Sequence, residues 1–290
     1  MRGTQLPARD KDKAVLTAQR VGCYIVLILI AFACLFSFYI LIVNATRSHP
    51  DIQKGFSAIF GGSFFYNLNN LLANENLPVL YGIRNSLIIS GAVAALSTYF
   101  SALTAYAIHA YNFKLKNVVY AFIMLVMMVP NQVSALGFIQ LMDDFNMMNT
   151  FWPLILPQIA APVVFYFMLQ YMRSVLPVEI VEAARIDGSG EFRTFNRVVL
   201  PIIKPALAVQ GIFQFVLTWN NYFIPQLILE TPENKTLPIL IAQLRSADFL
   251  KFDMGQVYML IMISIVPIII VYLLLSRFII RGITLGSVKG

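Results

Sequence analysis

Apolar positions along this chain come in long blocks, not at the two-residue or 3.6-residue periods of a half-buried strand or surface helix. The first block runs from about Val21 to Val43. About 20 apolar residues suffice to cross a bilayer, and a signal-peptide core is only ~7–15 residues long. The block is therefore read as a retained membrane helix. Further blocks follow at about Asn85–Ala107, Asn117–Met142, Phe151–Met172, Ala206–Leu229 and Val257–Ile280. Pro130-Asn131-Gln132 interrupts the third, Pro153, Pro157 and Pro162 punctuate the fourth, and Pro267 kinks the sixth. Polar connections lie at 44–83, 173–205 and 230–254. The pattern predicts an all-α, polytopic membrane protein: a polar tail at 1–20, then one domain at 21–290 with six transmembrane helices. Within the second block Ser97, Ser101 and Ala105 recur every four residues, as do Gly91 and Ala95. Small residues on one face predict close helix packing in lipid.

Composition agrees with a membrane class. The 290 residues are 59% apolar and 12% charged, against about 25% charged in soluble chains, and the mean hydropathy is +0.74. The net charge of +7 does not point to nucleic acid, because the basic residues sit in short loops between apolar blocks. With six spans and a cytoplasmic N-terminus, fifteen Lys and Arg fall inside: five in the N-tail, two after the second span, five in 173–204 and three in the C-tail. The remaining six fall outside. That asymmetry predicts cytoplasmic termini and a cytoplasmic 173–205 loop. Cys23 and Cys34, eleven residues apart on one helix, are too far apart to bond. His49 and His109 stand alone, so no metal site or cofactor is expected.

No Lys, Arg, Asp or Glu lies deep inside a block, which argues against a proton-coupled carrier. A secondary carrier that holds sodium with carbonyls and hydroxyls stays open. The phosphate-cradling pattern G-x-x-x-x-G-K-[ST] is absent, so ATP would have to be hydrolysed on another subunit. A membrane-anchored sensor would need a large soluble segment, which the spacing does not leave.

The densest run of charge is P-V-E-I-V-E-A-A-R-I-D-G-S-G-E-F-R-T-F-N-R-V-V-L-P-I-I-K-P, from Pro177 to Pro205. Pro177 suits a helix start, Glu179 and Glu182 suit its first turns, and Asp187-Gly188 is a stop. Ser189 is placed to cap a second short helix over Glu191–Val199, and Pro201 and Pro205 to break the chain before the fifth span. The spacing Glu182-Ala183-Ala184, three residues, Gly188, nine residues, Val198-x-Leu200-Pro201 resembles the EAA loop of the membrane subunits of ATP-driven (ABC-type) importers. Val198 stands where that family carries Ile. The flanking E-A-A-R-I-D-G-S and L-P-I-I-K-P-A-L are similar to its carbohydrate branch, and nearly the whole chain is similar to the maltose-type second permease.

The resemblance implies a transport subunit rather than an enzyme, in the cytoplasmic membrane of a bacterium. It implies four partners: a homologous second permease, a cytoplasmic ATPase dimer, an extracytoplasmic solute-binding protein reached through the 230–254 loop, and a sugar or related polyol. Glu182, Ala183, Ala184 and Gly188 would dock on the ATPase, with Arg185 and Asp187 beside them. The Gly-rich tail, Gly286–Gly290, is a further candidate for touching it. A homodimeric permease for another solute stays open within the class. For the substrate path the polar residues of the fifth block stand out: Gln210, Gln214 and Asn221 near one face, with Trp219, Asn220 and Tyr222 alongside. Amides pair with sugar hydroxyls and aromatic rings stack on sugars, although amides also tie membrane helices together. Asn131 and Gln132, at the break in the third block, are a second candidate.

Overall fold

The computed structural model describes residues 8–246 and 253–286, and every regular element among them is helical. The described chain forms two compact units: the residues up to Asn70 with Asp253–Met262, and Leu71 onward with the residues from Ile263.

In the first unit, α1 spans Ala8–Ala45. Its apolar stretch Gln19–Ala45 has a mean hydropathy of 3.0 and its most apolar window is entirely unburied, as suits a helix whose solvent is lipid. The connection after α1 is more structured than a loop, with short helices at His49–Gln53 and Phe64–Leu72. Its centre is buried Arg47, which donates from Nη1 to Asn44 Oδ1 and to the Gly55 carbonyl, each at 3.1 Å, and from Nη2 to the Asp51 carbonyl. Buried Asn67 donates to the carbonyls of Ala45 and Arg47, both at 2.9 Å. The buried cation and the NH2 of the buried amide, both donating to backbone carbonyls, fix this connection in one shape.

The second unit is built around α2 (Val79–Ala110). Ser97, Ser101 and Ala105 are buried as their spacing predicts, and the Ser101 hydroxyl donates to the Ala161 carbonyl at 3.3 Å. Two half-helices follow, α3 (Lys116–Met127) and α4 (Asn131–Asp144). They are bent by 100° where extended Pro130 (ψ 126°) interrupts the chain. The fourth apolar stretch, Trp152–Val175, is one span of 24 residues. A helical turn at Trp152–Ile155 and a 3-10 turn at Pro157–Ile159 precede its main helix, α5 (Pro162–Val175). Among the described residues five helices are long and apolar enough to cross a membrane, and the α3–α4 pair makes a sixth candidate.

After the short helix α6 (Val178–Ile186), the structure corrects the sequence reading. Pro201 and Pro205 do not break the chain: α7 is continuous from Glu191 to Trp219, 29 residues. A π turn at Phe195–Val199, closed by the Leu200 N–H on the Phe195 carbonyl, widens the helix just before Pro201. That turn accommodates the proline ring and its missing donor. Ser189 is not a cap. Gly190 occupies the cap position, and the Ser189 hydroxyl instead accepts from Thr194 Oγ1 at 2.9 Å. Nor does the fifth span reach Leu229. Asn220 closes α7 with its side chain on the Val216 carbonyl at 2.9 Å, and Phe223–Ile228 is a separate helix. The unit continues through α8 (Leu237–Arg245) into the later part of α9 (Met254–Gly286).

The core between α2, α5 and α7 joins Ala102, Ala105 and Tyr106 to Val164, Met168, Leu169 and Met172, and to Phe195, Val199 and Ile203. It lies directly behind α6, whose Val181 belongs to the same cluster.

Candidate functional site

The helix α6 starts one residue later than the sequence suggests. Pro177 is its extended N-cap, with ψ 137°. Its end is a Schellman turn: the Ser189 N–H reaches the Ala184 carbonyl and the Gly188 N–H the Arg185 carbonyl, each at 3.0 Å. Gly188 has φ +75°, the left-handed conformation that glycine takes without steric cost.

Nine residues give α6 two faces. Val181 and Ala184 are buried against the core, while Glu179, Glu182, Ala183 and Asp187 are exposed. The second alanine of the E-A-A triplet is therefore a packing residue, and the first lies on the open face. Two residues that sequence reasoning passed over join that face in exposure: Ile186 is 87% exposed and Phe192 is 69% exposed. The signal for Ile186 was legible, since it lies four residues after Glu182 and three after Ala183 and so on their side of the helix. Phe192 carried no such signal, because its exposure depends on how α7 begins.

Arg185 turns toward the protein. Its Nε is 2.7 Å from Glu191 Oε1 and its Nη2 3.4 Å from Oε2, and its guanidinium lies 4.8 Å above the Tyr111 ring. Tyr106 donates from its hydroxyl to Glu191 Oε2 at 3.0 Å. The hydrogen bond to Glu191 raises the Arg185 pKa further, so the guanidinium stays charged. Burial, and then the Glu191 carboxylate, push the Tyr111 phenol up. His109 bonds the Leu176 carbonyl at 2.8 Å, which ties the chain just before α6 to α2.

A cleft of about 370 Å³ at the far end of α7 is lined by Trp219, Asn220, Tyr222, Leu237, Pro238, Ile241, Ala242, Arg245 and Ser264. It gathers only part of the expected path. Trp219 is 2% exposed and stacks on Phe215 at 5.7 Å, so it forms the floor, and exposed Tyr222 offers the accessible ring. Gln210 is buried and Gln214 half-buried on α7, away from this cleft, and Asn221 lies beyond the helix end. The expectation that Gln210, Gln214 and Asn221 share a helical face fails, because the helix stops at Trp219. Gln132 is exposed on α4, and the Asn131 side chain lies outside the described residues. A second hollow, about 380 Å³ and mostly apolar, is lined by Gly91, Ala95, Thr98, Lys204, Gly211 and neighbours on α2, α7 and α9. Among the described residues no group of three or more His, Cys, Asp or Glu is placed to hold a metal ion.

Residues 97–284 match the family described as the binding-protein-dependent transport system inner membrane component. The chain belongs to this family. It is a multi-pass membrane permease subunit of an ATP-driven importer, and not an enzyme in its own right. The permease is 34% identical over 267 residues to the arabinooligosaccharides transport system permease protein AraQ of Halalkalibacterium halodurans, covering 90% of this chain and 93% of the relative. It is 29% identical over 266 residues to the lactose transport system permease protein LacG of Rhizobium radiobacter, covering 92% and 95%. In structure the permease resembles a chain of a bacterial ABC transporter involved in the import of the acidic polysaccharide alginate. The TM-score is 0.75 at 19% identity, over 95% of this chain and 99% of that one.

Proposed function

We propose that the permease provides half of an alternating-access path for an oligosaccharide, paired with a homologous but different permease. It docks a cytoplasmic ATPase pair through α6 and receives its sugar from an extracytoplasmic binding protein. The observation that carries the docking is the exposed face of α6, where Glu179, Glu182 and Ala183 share a side with Ile186, followed by exposed Asp187 and, at the start of α7, exposed Phe192. An apolar anchor rimmed by charge is the composition of a protein contact, and the Schellman turn at Gly188 holds it at the tip of the loop. The excess of Lys and Arg on the same side of the membrane supports a cytoplasmic placement of this face and of both termini. For the sugar, the names of the relatives support an oligosaccharide, and the cleft offers Tyr222, Asn220 and Arg245 to it.

The test is the Glu182→Lys variant, co-expressed with its partner permease and ATPase. It is expected to reach the membrane at normal levels, to lose the co-purifying ATPase and to lose uptake of arabino-oligosaccharides. Full retention of the ATPase would remove α6 from the contact.

A further inference from the structure

Three elements converge on the Glu191 carboxylate. Arg185 reaches it from α6, Tyr106 from the last turns of α2, and Glu191 itself is the first residue of α7. The carboxylate takes three donor contacts, two from the guanidinium at 2.7 and 3.4 Å and one from the phenol at 3.0 Å. Tyr111, in the turn after α2, closes the assembly: its ring lies 4.8 Å below the guanidinium and 5.8 Å from the Tyr106 ring. One turn deeper, Phe195 of α7 packs fully buried against Tyr99 and Tyr106 of α2, with ring centroids 5.6 and 5.5 Å apart.

A nine-residue helix does not hold its own geometry in water, and α6 buries only Val181 and Ala184. It is joined to the chain through Pro177 on one side and the left-handed Gly188 on the other, both turn residues. A push on its exposed face would therefore be absorbed in these turns unless side chains carry it across. Val181 reaches the core through apolar contact alone, whereas Arg185 meets Glu191 as a paired guanidinium, which fixes direction as well as distance. The pair is partly open to solvent, 32% for Arg185 and 46% for Glu191. Exposed pairs of this kind add little to folding stability, so a role in geometry fits it better than a role in stability.

We propose that the Arg185–Glu191 pair, seated on Tyr106 and Tyr111, is the joint that transmits movement of α6 to α2 and α7. It is a positioning device and not part of the surface the ATPase touches. This rests on the reading of α6 as the docking helix. Both helices line the apolar hollow at Gly91, Ala95, Lys204 and Gly211, so a shift of α6 carried through the joint moves two walls of that hollow together.

The experiment uses the assembled importer: this permease, its partner permease, the ATPase pair and the binding protein, in proteoliposomes supplied with mixed arabino-oligosaccharides. Docking is read as ATPase that co-purifies, and coupling as ATP-driven uptake and as hydrolysis stimulated by the sugar-loaded binding protein. Arg185→Gln and Glu191→Gln are expected to keep the ATPase while uptake and stimulated hydrolysis fall about ten-fold, a typical coupling effect. Arg185→Lys, which keeps the cation but not its paired geometry on Glu191, is expected to retain the ATPase and to recover less than half of both. Tyr106→Phe, which keeps the buried ring and removes only the donor, is expected to lower stimulation without loss of assembly. Loss of the ATPase in the single variants would make Arg185 a direct contact and overturn the proposal, as would wild-type uptake. Full coupling in Arg185→Lys, with the complex intact, would overturn the geometric role equally. Glu182→Lys is run in parallel: if it retains the ATPase, the docking assignment itself is wrong, whichever way the joint variants behave.

Discussion

At Gly188 and Gly61 the backbone sets terms that no neighbouring contact relaxes, and for opposite reasons. A Cβ at Gly188 would meet nothing within 4 Å, but the φ of +75° remains, and the left-handed conformation costs an ordinary residue about 1–2 kcal/mol. Gly188→Val is expected to insert normally and to abolish uptake, because the end of α6 would have to reorganise. Gly188→Asn is expected to keep most of it, since Asn tolerates that conformation. Immunoblots of membranes alongside uptake separate the two effects. At Gly61 the limit is space: a Cβ would lie 2.5 Å from the Thr46 carbonyl oxygen and 2.9 Å from the Arg47 Cα, both backbone atoms. Overpacking of this kind costs about 1–3 kcal/mol. Gly61→Ala is expected to lower the melting temperature of the purified complex, and an unchanged melting curve would show that the strand of chain around Arg47 yields easily.

Among the elements, α7 departs most from the sequence pattern. A reading by prolines divides it at Pro201 and Pro205, yet it is continuous because the π turn at Phe195–Val199 takes up the strain and because a membrane helix tolerates interior proline. Its far end stops at Trp219, and that stop sorts the polar residues. Asn220 and Tyr222 reach the cleft, while Gln210 and Gln214 do not. Tyr222→Ala and Asn220→Ala are therefore expected to change which oligosaccharide is preferred in competition uptake assays, with complex yield unchanged for Tyr222→Ala and lowered for Asn220→Ala, which also loses the bond that closes α7. Gln214→Ala is expected to leave preference alone. A shift of preference in Gln214→Ala with none in the other two would move the path along α7.

At the scale of the whole molecule, the prediction concerns orientation. In a chain with Cys23 and Cys34 replaced by Ser, cysteines at exposed Lys54 and Glu233 are expected to react with an impermeant thiol reagent from outside intact cells. A cysteine at exposed Arg193 is expected to react only after permeabilisation. Labelling of the Arg193 position in intact cells would invert the protein and take α6 away from any cytoplasmic ATPase. Lys54 gives up only an exposed ion pair with Asp51, whereas Ser48 caps the His49–Gln53 helix; Glu233 is chosen over Asn234, which donates to the Asn149 carbonyl at 2.9 Å.

Much of this was legible along the chain. Apolar blocks of twenty residues leave a backbone in lipid little choice but the helix, and the break at Pro130 and the stop at Gly188 follow from the covalent limits of proline and glycine. The composition around Glu182-Ala183-Ala184…Gly188 likewise placed the short helix α6 and its end. What the sequence left undecided was direction. Ala183 and Ala184 are chemically identical, and only the way α6 lies on the unit, with Val181 turned into the core of Tyr106 and Phe195, decides that one is exposed and the other buried. Along the sequence Arg185 stands with the residues expected to dock, and it is its partner Glu191, six residues on and across a turn, that turns it inward. Tyr106 and Tyr111 belong to another membrane helix and its following turn, and nothing local announces their contact with Glu191 or Arg185. Periodicity and backbone chemistry act over a few residues and so are written in order along the chain. The faces of α6, and the carboxylate on which three elements meet, depend on residues far apart in sequence, and only the tertiary packing brings them together.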